Sequence, residues 1–151
     1  MTGVAKKVFL DTNVLVFSTA ARAPFHQTAR QAIQEQHDAG AEVWISRQVL
    51  REYLATLSRP QTFSNPQPLD VLAADVRSFI NQFFIAEDSA QVTERLLDLL
   101  QRFPTGGKQV HDANIVATML VHNIPTLLTH NTDDFARFAG YITVVPLMVS
   151  P

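Results

Sequence analysis

Acidic and amide side chains stand beside apolar segments at three places in this 151-residue chain. Asp11 directly follows a short apolar run, Asp112 begins an apolar helical pattern, and Asn131 and Asp134 follow another apolar run. Oxygen donors suit Mg²⁺ or Mn²⁺, which prefer octahedral oxygen coordination, whereas zinc normally takes sulfur or imidazole ligands. The residue types therefore predict chemistry based on an oxygen-ligated divalent metal ion.

Asp112 is the acid that the pattern directs most clearly inward. Positions 112, 115, 116, 119 and 120 are Asp, Ile, Val, Met and Leu, the stripe of a core-facing helix. Because a buried, unpaired carboxylate is costly, we expect a cation or several hydrogen-bond donors beside it. Backbone donors in the first helical turn are the alternative.

The other acids leave more alternatives open. Asp11 could simply cap a helix, and Asn131 or Thr132 could cap a short helix whose first turn contains Asp134. Glu52 lies roughly 130° from the centre of the apolar stripe of its helix, at 100° per residue. The pattern by itself therefore predicts that Glu52 is a solvated surface charge.

Composition excludes several kinds of site. Without cysteine the chain has no disulfide, zinc knuckle, iron–sulfur cluster or thiol nucleophile. The formal charge of −2 gives no overall basic footprint for a nucleic-acid partner. Gly106-Gly107-Lys108 lacks the Ser or Thr and the first glycine of a phosphate-binding loop. Asp11 and Asn13 interrupt the apolar N-terminal stretch, so we expect a soluble cytoplasmic protein without a membrane span.

Short apolar strands alternate with amphipathic helices along the chain, and 60–68 is the one linker-like stretch. Strands are predicted at 6–10, 43–45, 83–86, 125–129 and 141–145, and helices after Asp11 and at 26–38, 46–58, 69–82, 89–103, 110–122 and 132–138. This alternation predicts one α/β domain over residues 1–151 with a central, mainly parallel sheet. Sites in such sheets gather beyond the carboxyl ends of the strands, where most of these acids fall.

Four motifs in this order resemble those of the PIN-domain ribonucleases, in particular the VapC-type toxins of type II toxin–antitoxin pairs. They are Leu10-Asp11-Thr12-Asn13-Val14-Leu15, Ile45-Ser46-Arg47-Gln48-Val49-Leu50-Arg51-Glu52, His111-Asp112-Ala113-Asn114-Ile115-Val116-Ala117-Thr118, and Leu128-Thr129-His130-Asn131-Thr132-Asp133-Asp134-Phe135. Each motif is short, but the four together span most of the chain.

The resemblance implies a three-layer α/β/α domain with an acidic pocket for one or two Mg²⁺ or Mn²⁺ ions. It makes Asp11, Glu52 and Asp112 acids of that pocket, and so overrides the surface interpretation of Glu52. The fourth metal position falls to Asn131 or Asp134, and Asn131 stands where the family often has Asp, which leaves the number of metal ions open. The residues that shape the pocket through hydrogen bonds are Thr12, Asn13 and Thr129.

The implied reaction is attack by metal-activated water on an RNA phosphodiester, with the four acids Asp11, Glu52, Asp112 and Asp134 as catalytic residues. Glu52 or Asp112 would orient or deprotonate the water. A homodimer and an antitoxin partner are also implied. The alternatives are a catalytically degenerate PIN-fold domain that binds RNA or a partner, and a metal-dependent phosphatase acting on small esters.

The charge balance changes if four acids serve a metal pocket, because ten acidic residues then face twelve basic ones. Several cations lie near the acidic motifs in the sequence and are candidates for RNA phosphate contacts, with ordinary solvated charge as the alternative for each. They are Arg47, Arg51, Arg59, Arg102 and Lys108. His111 and His130 adjoin the acids and are candidate substrate contacts.

Overall fold

The computed structural model describes residues 4–147 and contains five strands, six α-helices and one 3₁₀ helix within that range. The strands are β1 (Lys7–Leu10), β2 (Glu42–Ser46), β3 (Phe84–Ala86), β4 (Thr126–Thr129) and β5 (Thr143–Pro146). The helices are α1 (Thr12–Thr19), α2 (His26–Asp38), α3 (Arg47–Leu57), α4 (Leu69–Gln82), α5 (Ala90–Arg102), α6 (Gln109–Val121) and the 3₁₀ helix (Thr132–Phe138).

The strands form one sheet in the order β3-β2-β1-β4-β5, and every neighbouring pair is parallel. Right-handed crossovers place α1 to α4 on one face, because the chain moves in one direction from β1 to β3. The return from β3 to β4 and on to β5 places α5, α6 and the 3₁₀ helix on the other face. The predicted α/β/α architecture with a parallel sheet is confirmed.

The central strands β1 and β4 are buried because helices cover both of their faces. Val8, Phe9 and Leu10 of β1 are at most 1% exposed, and Leu127 and Leu128 of β4 are buried beside them. Such continuous apolar runs are typical of parallel sheets. The strand order reverses between β1 and β4, and a crevice for ligands is expected there, beyond their carboxyl ends.

Local signals in the sequence set most helix boundaries. Ser46 caps α3 by accepting a 3.3 Å hydrogen bond from the Val49 backbone amide. Gly40 follows α2 with φ of +77°, a conformation that glycine adopts without strain. The last strand begins two residues later than predicted, because the amides of Tyr141 and Ile142 instead donate to the Phe138 carbonyl. No helix among residues 4–147 combines the length and apolarity needed to cross a membrane.

Candidate active site

Asp11 lies at the carboxyl end of β1 and is 7% exposed. Its Oδ1 accepts a 2.8 Å hydrogen bond from the Thr12 amide, and its Oδ2 accepts from Thr129 Oγ1 at 2.7 Å and from Asn13 Nδ2 at 3.1 Å. Burial raises the pKa of Asp11, and these donors oppose that rise. Asp11 therefore caps α1, as the structural alternative proposed, and is also held rigidly at the sheet edge.

Thr129 and Asn13 fasten the end of β4 to the end of β1. The Thr129 hydroxyl, which is fully buried, accepts a 3.0 Å hydrogen bond from the Asn131 amide. Asn13 Oδ1 accepts another 3.0 Å hydrogen bond from the His130 amide. The Asn131 side chain forms no capping hydrogen bond with the 3₁₀ helix. Thr129 and Asn13, rather than an ordinary side-chain cap, therefore hold the start of the segment that follows β4.

Glu52 points into the same region from α3. Its Oε1 accepts a 2.8 Å hydrogen bond from Thr12 Oγ1, and its Oε2 accepts one of 3.4 Å from Gln48 Nε2. The carboxylate is half-buried and lines a groove. The prediction from periodicity, a solvated surface charge, is wrong because this side of α3 faces the groove rather than open solvent.

Asp112 enters the groove from the first turn of α6, which packs on the opposite face of the sheet. Burial raises its pKa to about 6, and the charges of Asp11, Asp134 and Glu52 add to the rise while Arg137 opposes it. None of these causes is a hydrogen bond to the carboxylate. The four acids therefore share one region of negative potential.

The groove has a volume of about 820 Å³ and is lined by side chains from both helical layers. All four acids line it, together with Asn131 and the basic residues Arg51, Arg59 and Lys108. Arg47 and Arg102 do not. Arg47 instead forms a 2.7 Å ion pair with Glu87, and Arg102 donates to the Tyr141 hydroxyl at 2.9 Å. Proximity in sequence did not bring these two cations to the acids.

The two candidate histidines occupy different positions. His111 lines the groove beside Asp112. His130 is exposed, lies outside the groove lining, and packs its ring against Phe25 and Phe17 with centroid separations of 4.8 and 5.3 Å. Of the two, the structure places only His111 where it could face a substrate in the groove.

Gln48 is a site residue that the sequence analysis did not single out. It is 6% exposed, its Nε2 donates to the His111 carbonyl, and its Oε1 accepts from Asn114 Nδ2, both at 2.8 Å. These bonds join α3 on one face of the sheet to α6 on the other. The signal that could have found the pair is that each lies in a motif with an acid, Gln48 four residues before Glu52 and Asn114 two after Asp112.

The donor set fits an oxygen-preferring divalent cation in an open site. Within the described range 4–147, no three Asp, Glu, His or Cys side chains are grouped closely enough to hold a metal ion by themselves. Mg²⁺ usually keeps several waters and binds through one or two carboxylates plus substrate phosphates, so it needs no closed protein cage. Burial first, and then the charges of the neighbouring acids, raise the pKa of Asp112, and a bound cation would oppose both effects.

Residues 8–141 match the sequence profile of the PIN domain, a span that contains all four acids and every segment of the groove. The chain belongs to the PIN-domain family. This PIN domain is similar to Ribonuclease VapC48 of Mycobacterium tuberculosis, with 27% identity over 135 residues that cover 86% of this chain and 90% of the relative.

Solved structures share the fold of this PIN domain. Mycobacterium tuberculosis VapC20, described as a toxin that cleaves the sarcin-ricin loop, is 22% identical with a TM-score of 0.68, and the match covers 92% of this chain and 99% of that one. A toxin–antitoxin complex from Klebsiella pneumoniae is 24% identical with a TM-score of 0.66, covering 95% and 99%. At these identities the likeness concerns the fold.

Proposed function

We propose that this PIN domain is a metal-dependent endoribonuclease of the VapC type that hydrolyses RNA phosphodiesters in the acidic groove. The observation that carries the proposal is the convergence of Asp11, Glu52, Asp112 and Asp134 from four separate segments into one groove. The similarity to a relative named as a ribonuclease supports RNA as the substrate.

Asp11 and Glu52 serve as fixed carboxylates, since hydrogen bonds hold both of them in place. With Asp112 and with Asn131 or Asp134, they would hold Mg²⁺ or Mn²⁺. When bound, such an ion would neutralise the negative charge that develops on the phosphate. The fixed geometry of Asp11 and Glu52 means that little reorganisation is needed at the moment of reaction.

Glu52 or Asp112 would accept the proton of the attacking water, and no hydrogen bond within residues 4–147 contributes to the pKa of Asp112. Arg51, Arg59 and Lys108 line the same groove and would contact RNA phosphates on either side of the scissile bond. Their positive charges offset the acids, so the groove can receive a polyanion.

The test incubates the purified chain with an RNA pool in Mg²⁺ or Mn²⁺, with and without EDTA, and maps the cut ends. We expect cleavage that EDTA stops and that Asp11→Asn and Asp112→Asn reduce by about 10²-fold or more. Asp133→Asn is the matched control, because this exposed acid does not line the groove. Metal-independent cleavage that survives Asp112→Asn would refute the proposal.

Intact RNA under all metal concentrations would instead favour the catalytically degenerate alternative, and turnover of a chromogenic phosphate ester without RNA cleavage would favour the phosphatase. Both assays use the same protein preparation. Thermal unfolding of every variant must be measured alongside, because Asp11→Asn disturbs three hydrogen bonds in a buried setting.

We further propose that the chain is the toxin of a toxin–antitoxin pair, acting as a homodimer in the cytoplasm. The toxin–antitoxin complex from Klebsiella pneumoniae with the same fold supports an antitoxin partner. Induced expression should arrest growth, Asp112→Asn should abolish the arrest, and the product of the adjacent gene should relieve it. A monomer in sedimentation experiments would refute the dimer.

A further inference from the structure

Four aromatic rings from four separate segments meet beside the acidic groove. Phe17, near the end of α1, is central, with ring centroids 5.9 Å from Phe25, 6.4 Å from Phe63 and 5.3 Å from His130. Phe25 and His130 also pack together at 4.8 Å. None of the mechanistic roles given above uses these rings.

Only two of the rings, Phe17 and Phe63, line the groove that contains the acids. Both are half-buried, so part of each ring remains accessible. Phe25 and His130 do not line the groove, and both contact Phe17. Two rings of the cluster therefore face the groove, and the other two support Phe17.

One of the supporting residues has a costly backbone conformation. Phe25 has φ of +62°, a left-handed backbone conformation that is uncommon for a bulky residue. The next residue, His26, fixes the segment through a 2.7 Å hydrogen bond between its Nδ1 and the Phe17 carbonyl. The chain thus maintains the arrangement of Phe17 and Phe25 against a local backbone preference.

We propose that Phe17 and Phe63 form a stacking subsite for one unpaired nucleobase next to the scissile phosphate, an inference that rests on the RNA-directed function proposed above. Arg59 and Arg51 line the groove with them and supply charge for the adjoining phosphates. Proteins bind single-stranded nucleic acids by stacking the bases on aromatic rings and by placing cationic side chains along the phosphates. The subsite therefore takes an unpaired base, since bases within a duplex are not free to stack on protein rings.

The first measurement is RNA binding, made in the Asp112→Asn background so that the RNA stays intact. Phe63→Leu removes a ring but keeps an apolar side chain, and its position on a loop limits the effect on folding. Phe84→Leu is the matched control, because Phe84 is 51% exposed on the edge strand β3 outside the groove. By anisotropy of a labelled single-stranded RNA oligonucleotide, we expect Phe63→Leu to weaken binding by about 5- to 50-fold and Phe84→Leu by less than about twofold.

The second measurement finds the base. Each nucleotide of the oligonucleotide is replaced in turn by an abasic residue, and one position should weaken binding to the chain with Phe63 but not to the Phe63→Leu variant. Comparing the two substitutions singly and together forms a double-mutant cycle, which isolates the contact between the ring and the base. Equal effects of Phe63→Leu and Phe84→Leu, or abasic effects that persist unchanged without the Phe63 ring, would overturn the subsite.

The two proposals fail in different ways. Base-dependent binding through Phe63 without cleavage by the unsubstituted chain would refute the nuclease and support the subsite. Cleavage that is indifferent to Phe63→Leu would support the nuclease and overturn the subsite. The subsite would also be overturned if Phe63→Leu changed only the binding of a protein partner, or if the chain bound no RNA.

Discussion

The Thr129 hydroxyl donates a 2.7 Å hydrogen bond to Asp11 Oδ2 and joins the carboxyl ends of β4 and β1, although the two residues lie 118 positions apart. The same hydroxyl accepts from the Asn131 amide at 3.0 Å. One side chain thus fixes the first acid of the groove and the start of the segment that carries Asp134.

Thr129→Val should destabilise the fold and displace Asp11, because it leaves a buried carboxylate oxygen with one donor fewer. We expect a loss of about 1–3 kcal/mol in the free energy of unfolding, measured by chemical denaturation. Thr129→Ser keeps the hydroxyl and should lose less. Thr118→Val is the control, because that buried hydroxyl donates only to the Asn114 carbonyl within α6. A loss in Thr129→Val no larger than in Thr118→Val would contradict this role.

Gln48→Leu should uncouple α3 from the first turn of α6, because it leaves the Asn114 amide and the His111 carbonyl without their partner. We expect a loss of stability of about 1–3 kcal/mol, with a lower rate of RNA cleavage at saturating substrate. Gln91→Leu, at an exposed position on α5, is the control. The double variant Gln48→Leu/Asn114→Leu should lose less free energy of unfolding than the sum of the losses in the two single variants. Additive losses would argue against the contact.

The metal-free chain should lose stability as the pH rises from about 4 to about 6. The pKa of Asp112 is raised from 3.8 to about 6, so the folded state retains a proton that the unfolded chain has already released in this window. The stabilisation is therefore fully present below pH 4 and is gone above the folded pKa. Because Asp112 is only half-buried, we expect about 1 kcal/mol rather than the full value of the shift.

Denaturation in EDTA across this window measures the effect of Asp112. Asp112→Asn should flatten the pH dependence, since the amide carries no charge at either end of the range. Asp70→Asn, on the exposed first turn of α4, is the control and should leave the curve as it is. Identical curves for the unsubstituted chain and Asp112→Asn would show that the acids do not interact as described.

Mg²⁺ or Mn²⁺ should raise the melting temperature at neutral pH, because a cation that binds only the folded state stabilises it by mass action. At a concentration 100-fold above the dissociation constant the gain is about 2.7 kcal/mol. Asp112→Asn should raise the melting temperature without metal and shrink the gain with it, and Asp133→Asn should change neither. A gain no larger than that from NaCl at equal ionic strength would contradict a specific site.

The sequence by itself determined the layered α/β fold, because strand and helix periodicities, Ser46 as a cap and Gly40 after α2 are local properties of the chain. It also directed Asp11 and Asp112 toward the site, since one follows a buried strand and the other begins an apolar helical stripe. Only the family resemblance predicted that Glu52 belongs to the site. Periodicity distinguishes the two sides of a helix but does not say whether the polar side faces solvent or a groove.

Only the tertiary structure decided which residues meet. Arg51 and Arg59 line the groove, whereas Arg47 is drawn to Glu87 and Arg102 to Tyr141. The link from Gln48 to Asn114 spans 66 positions and crosses from one helical layer to the other. Such contacts depend on how crossovers place helices over a sheet edge, a geometry that emerges when distant segments pack together and that no local pattern encodes.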